Sequence, residues 1–572
     1  MSAVLPAPAA PVARFVIADV LVKLLLIAAG LGLALFLLAP MAAIFMRAVQ
    51  DSNGNYVGFV HFASYFSTPA LARSVWNSVW VSLAVAAITV PAAFVFAYAL
   101  TRSCMPFKGT LRLIALIPLL APSLLPAISF IQWFGNQGVL KGPMQALGIA
   151  SIYGAPGIIL SEIFNCFPHA LMILIAALAL ADGRLYEAAD ALGTRRLRKF
   201  FTITLPGCKY GLLSAATVVF TYTIADFGAP KVIGGNFNVL AVDVFKQVIG
   251  QFNFSIGAVI GLLLLVPSVI AFGIDWVVRR RLTANLTARS VPFVPRPRTG
   301  FDRLMLAYCA IVCLLLLAVL GMAVYTSLIH LWPYNLGFTL KHYHYALVGG
   351  DYAPAFWNSL KMGAWTAVIG TVFVFCTAYL LEKTRGLGPL RPALRLLALL
   401  SMAVPGLVLG LGYIMFFNHP QNPLNFLYQT MAILAISTVV HYYTSGHLTA
   451  VTALKALDDE YESVSASLKV PFYKTFWRVT VPVCLPAILE IARYYFVVSI
   501  STLSCVVFLY APHTILAAVA IMNMDEAGDV GPAAALGTLV VLASVGVCLV
   551  YALATRVLLA KSQAWRFNVE RA

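Results

Sequence analysis

The sequence predicts an all-α polytopic membrane protein with about 12 transmembrane helices in two parallel six-helix repeats. Three observations carry this. Of 572 residues, 61% are hydrophobic and only 10% charged, whereas a soluble domain carries charge at about a quarter of its positions. Apolar runs recur along the whole chain near the roughly 20 residues that cross a ~30 Å hydrocarbon layer. Short sequence patterns also return, in the same order, at a shift of about 280 residues.

The elements follow in order. Residues 1–14 are rich in Ala and Pro and are expected to be disordered. The next run is too long for a signal-peptide core and reads as an uncleaved first span. Six runs fall at 15–46, 75–101, 110–134, 155–181, 207–227 and 254–278. Six more fall at 303–329, 355–382, 393–417, 427–454, 483–510 and 530–558. This gives a first membrane domain at 15–280, a basic, Pro-containing linker at 281–302, a second membrane domain at 303–560 and a tail at 561–572.

The loops set sidedness. Arg102, Lys108, Arg112, Arg184, Arg195, Arg196, Arg198 and Lys199 fall on one side, with Arg279–Arg281, Lys383, Arg391, Lys474 and Arg478. The alternate loops hold Asp51, Asp243, Asp351, Asp525, Glu526 and Asp529. Basic loops stay cytoplasmic, so both termini are expected there, as an even span number requires. The net charge of +17 is this bias. No basic stripe with interleaved aromatics stands outside the membrane, so lipid is the expected surrounding and nucleic acid is excluded as a partner. The nine cysteines lie mostly in apolar runs; Cys309 and Cys313 lack the companion His or Cys of a metal site and read as small core residues.

The repeat is ordered. Trp76-Asn77-Ser78 matches Trp357-Asn358-Ser359, Ala97-Tyr98 matches Ala378-Tyr379, Pro122 matches Pro405, and Asp182 matches Asp458. Phe200, Ile203, Thr204 and Pro206 match Phe476, Val479, Thr480 and Pro482. Six spans per half insert both halves the same way round. The pseudo-axis then runs along the membrane normal, with a pathway between halves.

Between the fourth and fifth runs lies Asp182 to Gly207, too polar to span and too long for a tight turn. Ala188, Ala189, Ala191 and Leu192 favour helix and Gly193 breaks it. Phe200, Ile203 and Leu205 give an apolar face. The expected shape is a short helix, a bend and a second short helix along the membrane surface.

Glu187-Ala188-Ala189-Asp190-Ala191-Leu192-Gly193, followed by Ile203-Thr204-Leu205-Pro206, resembles the signature of the permease subunits of ATP-binding-cassette importers. The resemblance covers nearly the whole chain, as two methionine-importer-like permease domains fused head to tail, and implies the type I importer permease fold in a bacterial cytoplasmic membrane. It implies that this loop is a coupling helix docking on an ATPase, with Glu187, Ala188, Ala189 and Gly193 at the contact. The second copy departs: Tyr461-Glu462-Ser463-Val464 lacks both Ala, Glu462 sits one residue early and Lys469 takes the Gly position. Carried over, its coupling residues are Glu462, Ser463 and Lys469. No G-x-x-x-x-G-K-[ST] phosphate loop occurs. The chain is therefore expected to be no enzyme, to have no catalytic residues and to bind no cofactor. ATP and Mg belong to two separate ATPase subunits, and an extracytoplasmic solute-binding protein delivers the solute.

Polar residues at membrane depth cost about 2.5–3.5 kcal/mol each when charged and usually face the interior or water. Candidates for the translocation pathway are Thr221, Thr223, Asp226, Tyr443, Ser445, Ser499, Ser501 and Thr502, from a wider set including Glu162, Asn165, His169, His441, Tyr442 and His447. Interhelical hydrogen bonding explains any one of them equally well. Glu490 and Arg493, three apart, read as a structural pair. The runs Asp226-Phe227-Gly228-Ala229-Pro230 through Leu240, and Ser465 through Phe472, resemble 2-aminoethylphosphonate importer permeases; fused ferric-iron permeases are next. Rival classes are an ion-coupled secondary transporter, against which the coupling loop argues, and a membrane enzyme. His441 and His447, six apart, do not share a helix face, which argues against the enzyme.

Overall fold

The computed structural model describes residues 11–562 apart from 52–53, 147, 285–290, 292, 385–387, 389, 459 and 469. Among the described residues, eight helices are long and apolar enough to cross a membrane: Val20–Val49, Pro69–Arg102, Ala155–Ala179, Phe254–Val278, Thr299–Ser327, Ala353–Lys383, Phe472–Ser501 and Val530–Leu558. Three bent pairs raise the number to 11. They are Lys108–Leu120 with Leu124–Phe134, Arg196–Gly207 with Lys209–Ala225, and Leu390–Ala403 with Gly406–Phe417. The remaining expected run, 427–454, is two shorter helices, Met431–His441 and Tyr443–Lys455, interrupted at Tyr442. In chain order these twelve segments are spans 1 to 12.

Two boundaries differ from expectation. The first helix starts at Pro11, so 11–14 are helical; 1–10 lie outside the described residues. Span 6 continues as helix to Ala284 and span 7 starts at Thr299, which shortens the linker at both ends. Basic helix extensions keep hydrogen bonding within the helix where the chain leaves the apolar layer.

The matched prolines make matched bends. Span 3 breaks by 104° around Pro122 and span 9 by 108° around Pro405. Proline donates no N–H and pushes its predecessor out of the α region, so the helix ends and restarts in a new direction. Such breaks persist at membrane depth only inside protein, and Val404, Pro405 and Gly406 are all buried.

The halves interlock. Span 1 packs on the second half: Tyr413 donates to the Phe36 carbonyl at 2.8 Å, and the Phe36 and Phe417 rings stack at 5.8 Å. Span 7 packs on the first half: Tyr308 donates to Ala92 O at 2.8 Å, and Trp133 of span 3 donates to Ala318 O at 3.2 Å. Each half thus covers its partner with its own first span, and one continuous apolar core runs through both.

The Asn-Ser repeat is a staple. Asn77 donates to Asn238 O at 2.9 Å and Ser78 accepts from Leu240 N at 2.8 Å. Asn358 donates to His513 O and Ile515 O at 3.0 and 3.1 Å, and Ser359 accepts from Ala517 N at 2.7 Å. Both pin the start of a short helix, Leu240–Phe245 or Ala517–Glu526, between the last two spans of a half.

Candidate functional site

The loop after span 4 folds as Gly183–Ala191, a turn, and Arg196–Lys199. Asp182 caps the first helix by accepting from Arg184 N at 3.0 Å, the usual way to satisfy a free N-terminal amide. The helix ends with Thr194 N donating to Ala189 O and Gly193 N to Asp190 O, both at 3.0 Å. Gly193 has φ +66°, the left-handed conformation such an ending requires and a side chain resists. Lys199 pairs with Asp190 and ties the second helix to the first; this contact holds the Asp190 carboxyl below its usual range. Tyr186 and Ala189 point inward, while Glu187, Ala188 and Gly193 are exposed. Beside them stand Leu192, 83% exposed, Leu197 and Phe201, an apolar face rimmed by arginines.

The second loop repeats the frame with other side chains. Glu460–Ser467 forms the helix, and Val470 N donates to Ser465 O at 2.9 Å, the same closing bond as Thr194 to Ala189. On that register Ser463 stands opposite Glu187, and Glu462 stands opposite Tyr186. The placing of Glu462 as an outward coupling residue is therefore corrected: its carboxylate turns inward to Lys383 Nζ at 3.3 Å, because its helix position faces the protein. Ser463 is exposed; Lys469 lies outside the described residues. A wide π-helical turn follows each loop, Phe200–Thr204 and Phe476–Thr480. The Tyr98 and Tyr379 rings meet Phe200 and Phe476 at 5.8 and 4.8 Å.

The pathway candidates separate into two groups. Ser499 and Ser501 donate to Tyr495 O and Val497 O of their own helix, at 2.6 and 3.0 Å, and Thr221 donates to Thr217 O at 2.8 Å. Tyr443 is buried in the second half against Phe373 and His447. The others form two polar clusters, Thr223 and Asp226 in the first half and Ser445 and Thr502 in the second. Thr223 lies 3.7 Å from Cys166 Sγ. Asp226 accepts from Ala229 N at 2.9 Å and is an electrostatic neighbour of Glu162, which is 1% exposed. Thr502 stands beside the Tyr442 phenol and Ser445 beside that of Tyr494.

Sequence reading passed over Tyr222 and Tyr494, aromatic residues inside apolar runs. Tyr222 of span 5 is 43% exposed, yet its neighbours are His169 at 4.5 Å and, from the other half, Tyr442 and Tyr494. A side chain facing both halves and still accessible lines the space between them. The Tyr442 and Tyr494 rings are 6.1 Å apart. The layer holds two carboxyls, phenols and imidazole. The Glu490–Arg493 pair stands apart, with Arg493 also donating to Cys548 at 3.4 Å.

Two interlocked six-span halves, a polar layer between them and a capped surface helix on each define a membrane permease, a transport subunit rather than an enzyme. Residues 90–284 and 375–560 match the family described as binding-protein-dependent transport system inner membrane component, and the chain belongs to it. It is similar to the ferric transport system permease protein FbpB of Actinobacillus pleuropneumoniae, 26% identical over 90% of this chain and 76% of that protein. It is similar to the putative ferric transport system permease protein FbpB 1 of Haemophilus influenzae, 26% identical over 88% and 79%. The thiamine transport system permease protein ThiP of Escherichia coli is 24% identical over 70% and 73%.

Proposed function

We propose that the chain carries a small, positively charged solute inward by alternating access, driven by two separate ATPase subunits that grip the loops after spans 4 and 10. Both termini then lie in the cytoplasm of a bacterium, and a solute-binding protein docks on the opposite face. Glu187, Ala188, Gly193 and Ser463 are the outward residues of the two docking helices, and Ala189, which points inward, packs the first of them against the protein. Thr223, Asp226, Ser445 and Thr502 belong to the solute path, joined by Glu162, His169, Tyr222, Tyr442 and Tyr494.

The observation that carries the solute reading is the pair of neighbouring carboxyls, Glu162 and Asp226. A carboxyl that gives up its proton attracts a cation and repels an anion. Ferric iron fits that sign, and the ferric relatives support it. The second reading is 2-aminoethylphosphonate, favoured by the run Asp226 to Leu240. Its amine suits the carboxyls, and its phosphonate, an anion, does not.

The test is uptake into proteoliposomes holding the complete transporter, with radiolabelled ferric iron and 2-aminoethylphosphonate offered separately. ATP-dependent iron uptake supports the reading. Uptake of the phosphonate alone rejects iron but keeps the permease.

A further inference from the structure

We propose that Arg102 and Lys383 are positioning residues through which the two surface helices move the spans. This rests on the reading that those helices dock an ATPase. Arg102 ends span 2 and Lys383 ends span 8, its repeat counterpart. Each donates to a carbonyl just before its surface helix: Arg102 to Leu178 O at 2.8 Å, Lys383 to Leu457 O at 3.1 Å. Each also touches that helix at the aligned position. The Arg102 guanidinium lies 5.2 Å from the Tyr186 ring centre, and Lys383 Nζ lies 3.3 Å from Glu462 Oε2.

Both cations are buried, Arg102 at 8% exposure and the Lys383 side chain at 4%. A buried cation cannot give up its partners cheaply. When the surface helix shifts, the cation follows and takes the ends of two spans with it. The chemistry differs between halves, a cation over a ring in one and an ion pair in the other. What recurs is the three-way junction, and recurrence with changed chemistry marks the junction itself as the working part.

The linker adds a wall to the first junction. Phe293 lies 4.5 Å from the Arg102 guanidinium and 4.7 Å from the Tyr186 ring, and Gly183 N donates to Val291 O at 2.8 Å. The covalent bridge between halves therefore holds the start of the first surface helix.

The test follows the path rather than the solute. In a chain with Cys104→Ser and the reporter Ser445→Cys, carried in the complex with its co-purified ATPase, a membrane-impermeant maleimide reads access. ATP with vanadate should change the labelling rate roughly tenfold in the parent, within the usual range for coupled sites. Arg102→Met and Lys383→Met should reduce that response to about twofold or less while the ATPase stays bound. The conservative variants Arg102→Lys and Lys383→Arg, which keep a cationic donor to the Leu178 or Leu457 carbonyl, should restore it. Met variants that respond like the parent overturn the proposal. If they do not assemble, the conservative variants alone decide, and assembled Arg102→Lys and Lys383→Arg variants without response overturn it too. A parent blind to nucleotide instead sinks the docking reading.

Discussion

Ser78 accepts a hydrogen bond from the amide of Leu240, 162 residues away, at 2.8 Å. Ser359 does the same for Ala517, 158 residues on, at 2.7 Å. One residue type at one repeat position closes the same long loop in each half. Replacing either Ser by Ala leaves a buried amide unpaired, a loss of about 1–3 kcal/mol. Thermal unfolding in detergent should show a lower midpoint for each variant; an unchanged midpoint would contradict the staple.

Gly193→Ala should destabilise the first surface helix by about 1–2 kcal/mol from backbone strain alone, since an added Cβ meets nothing within 4 Å. Gly207→Ala, equally open but without a positive φ, should be neutral. Recovery of the ATPase with the permease should fall for the first and not the second.

Glu162→Gln should slow ATP-dependent uptake of a cationic solute roughly tenfold, the value of about 1.4 kcal/mol, with ATPase binding intact. Tyr222→Phe should weaken uptake less, because the ring and its His169 contact remain. An unaltered rate in Glu162→Gln would remove the acid pair from the path.

On the opposite face, burial pushes the Asp525 carboxyl up to about 6, with neighbouring Glu526 adding to the rise and Lys231 opposing it. A raised carboxyl pKa means the native state holds its proton more tightly than the unfolded chain. Stability should therefore fall as pH rises from about 4 to about 6, by about 2 kcal/mol, and change little beyond. Asp525→Asn should flatten that segment of the pH–stability curve; a curve identical to the parent's would contradict the assignment.

Much of the fold was legible because membrane depth and repetition both leave marks in composition. The Pro122 and Pro405 match predicted equivalent positions, and those positions became equivalent bends. The exchange of spans 1 and 7 was not legible, since Phe36, Tyr308 and Ala318 look alike whether they pack within a half or across it. The shape of the first surface loop was readable from Gly193, whose conformation its residue type announces. Glu462 misled because a one-residue offset on a helix turns a side chain by about 100°, from outward to Lys383. Tyr222 and Tyr494 were hidden because an aromatic in an apolar run gives no sign of which surface it faces.

The central claim is that two pseudo-symmetric halves are rocked by ATPase subunits gripping the helices Gly183–Ala191 and Glu460–Ser467. The most direct measurement is solute accumulation in proteoliposomes carrying the permease with its ATPase, the permease alone, or the complex with Glu187 and Gly193 replaced together. The account predicts ATP-dependent accumulation in the first and none above background in the other two. Uphill movement by the permease alone, or full accumulation by the double variant at equal protein level, would contradict it.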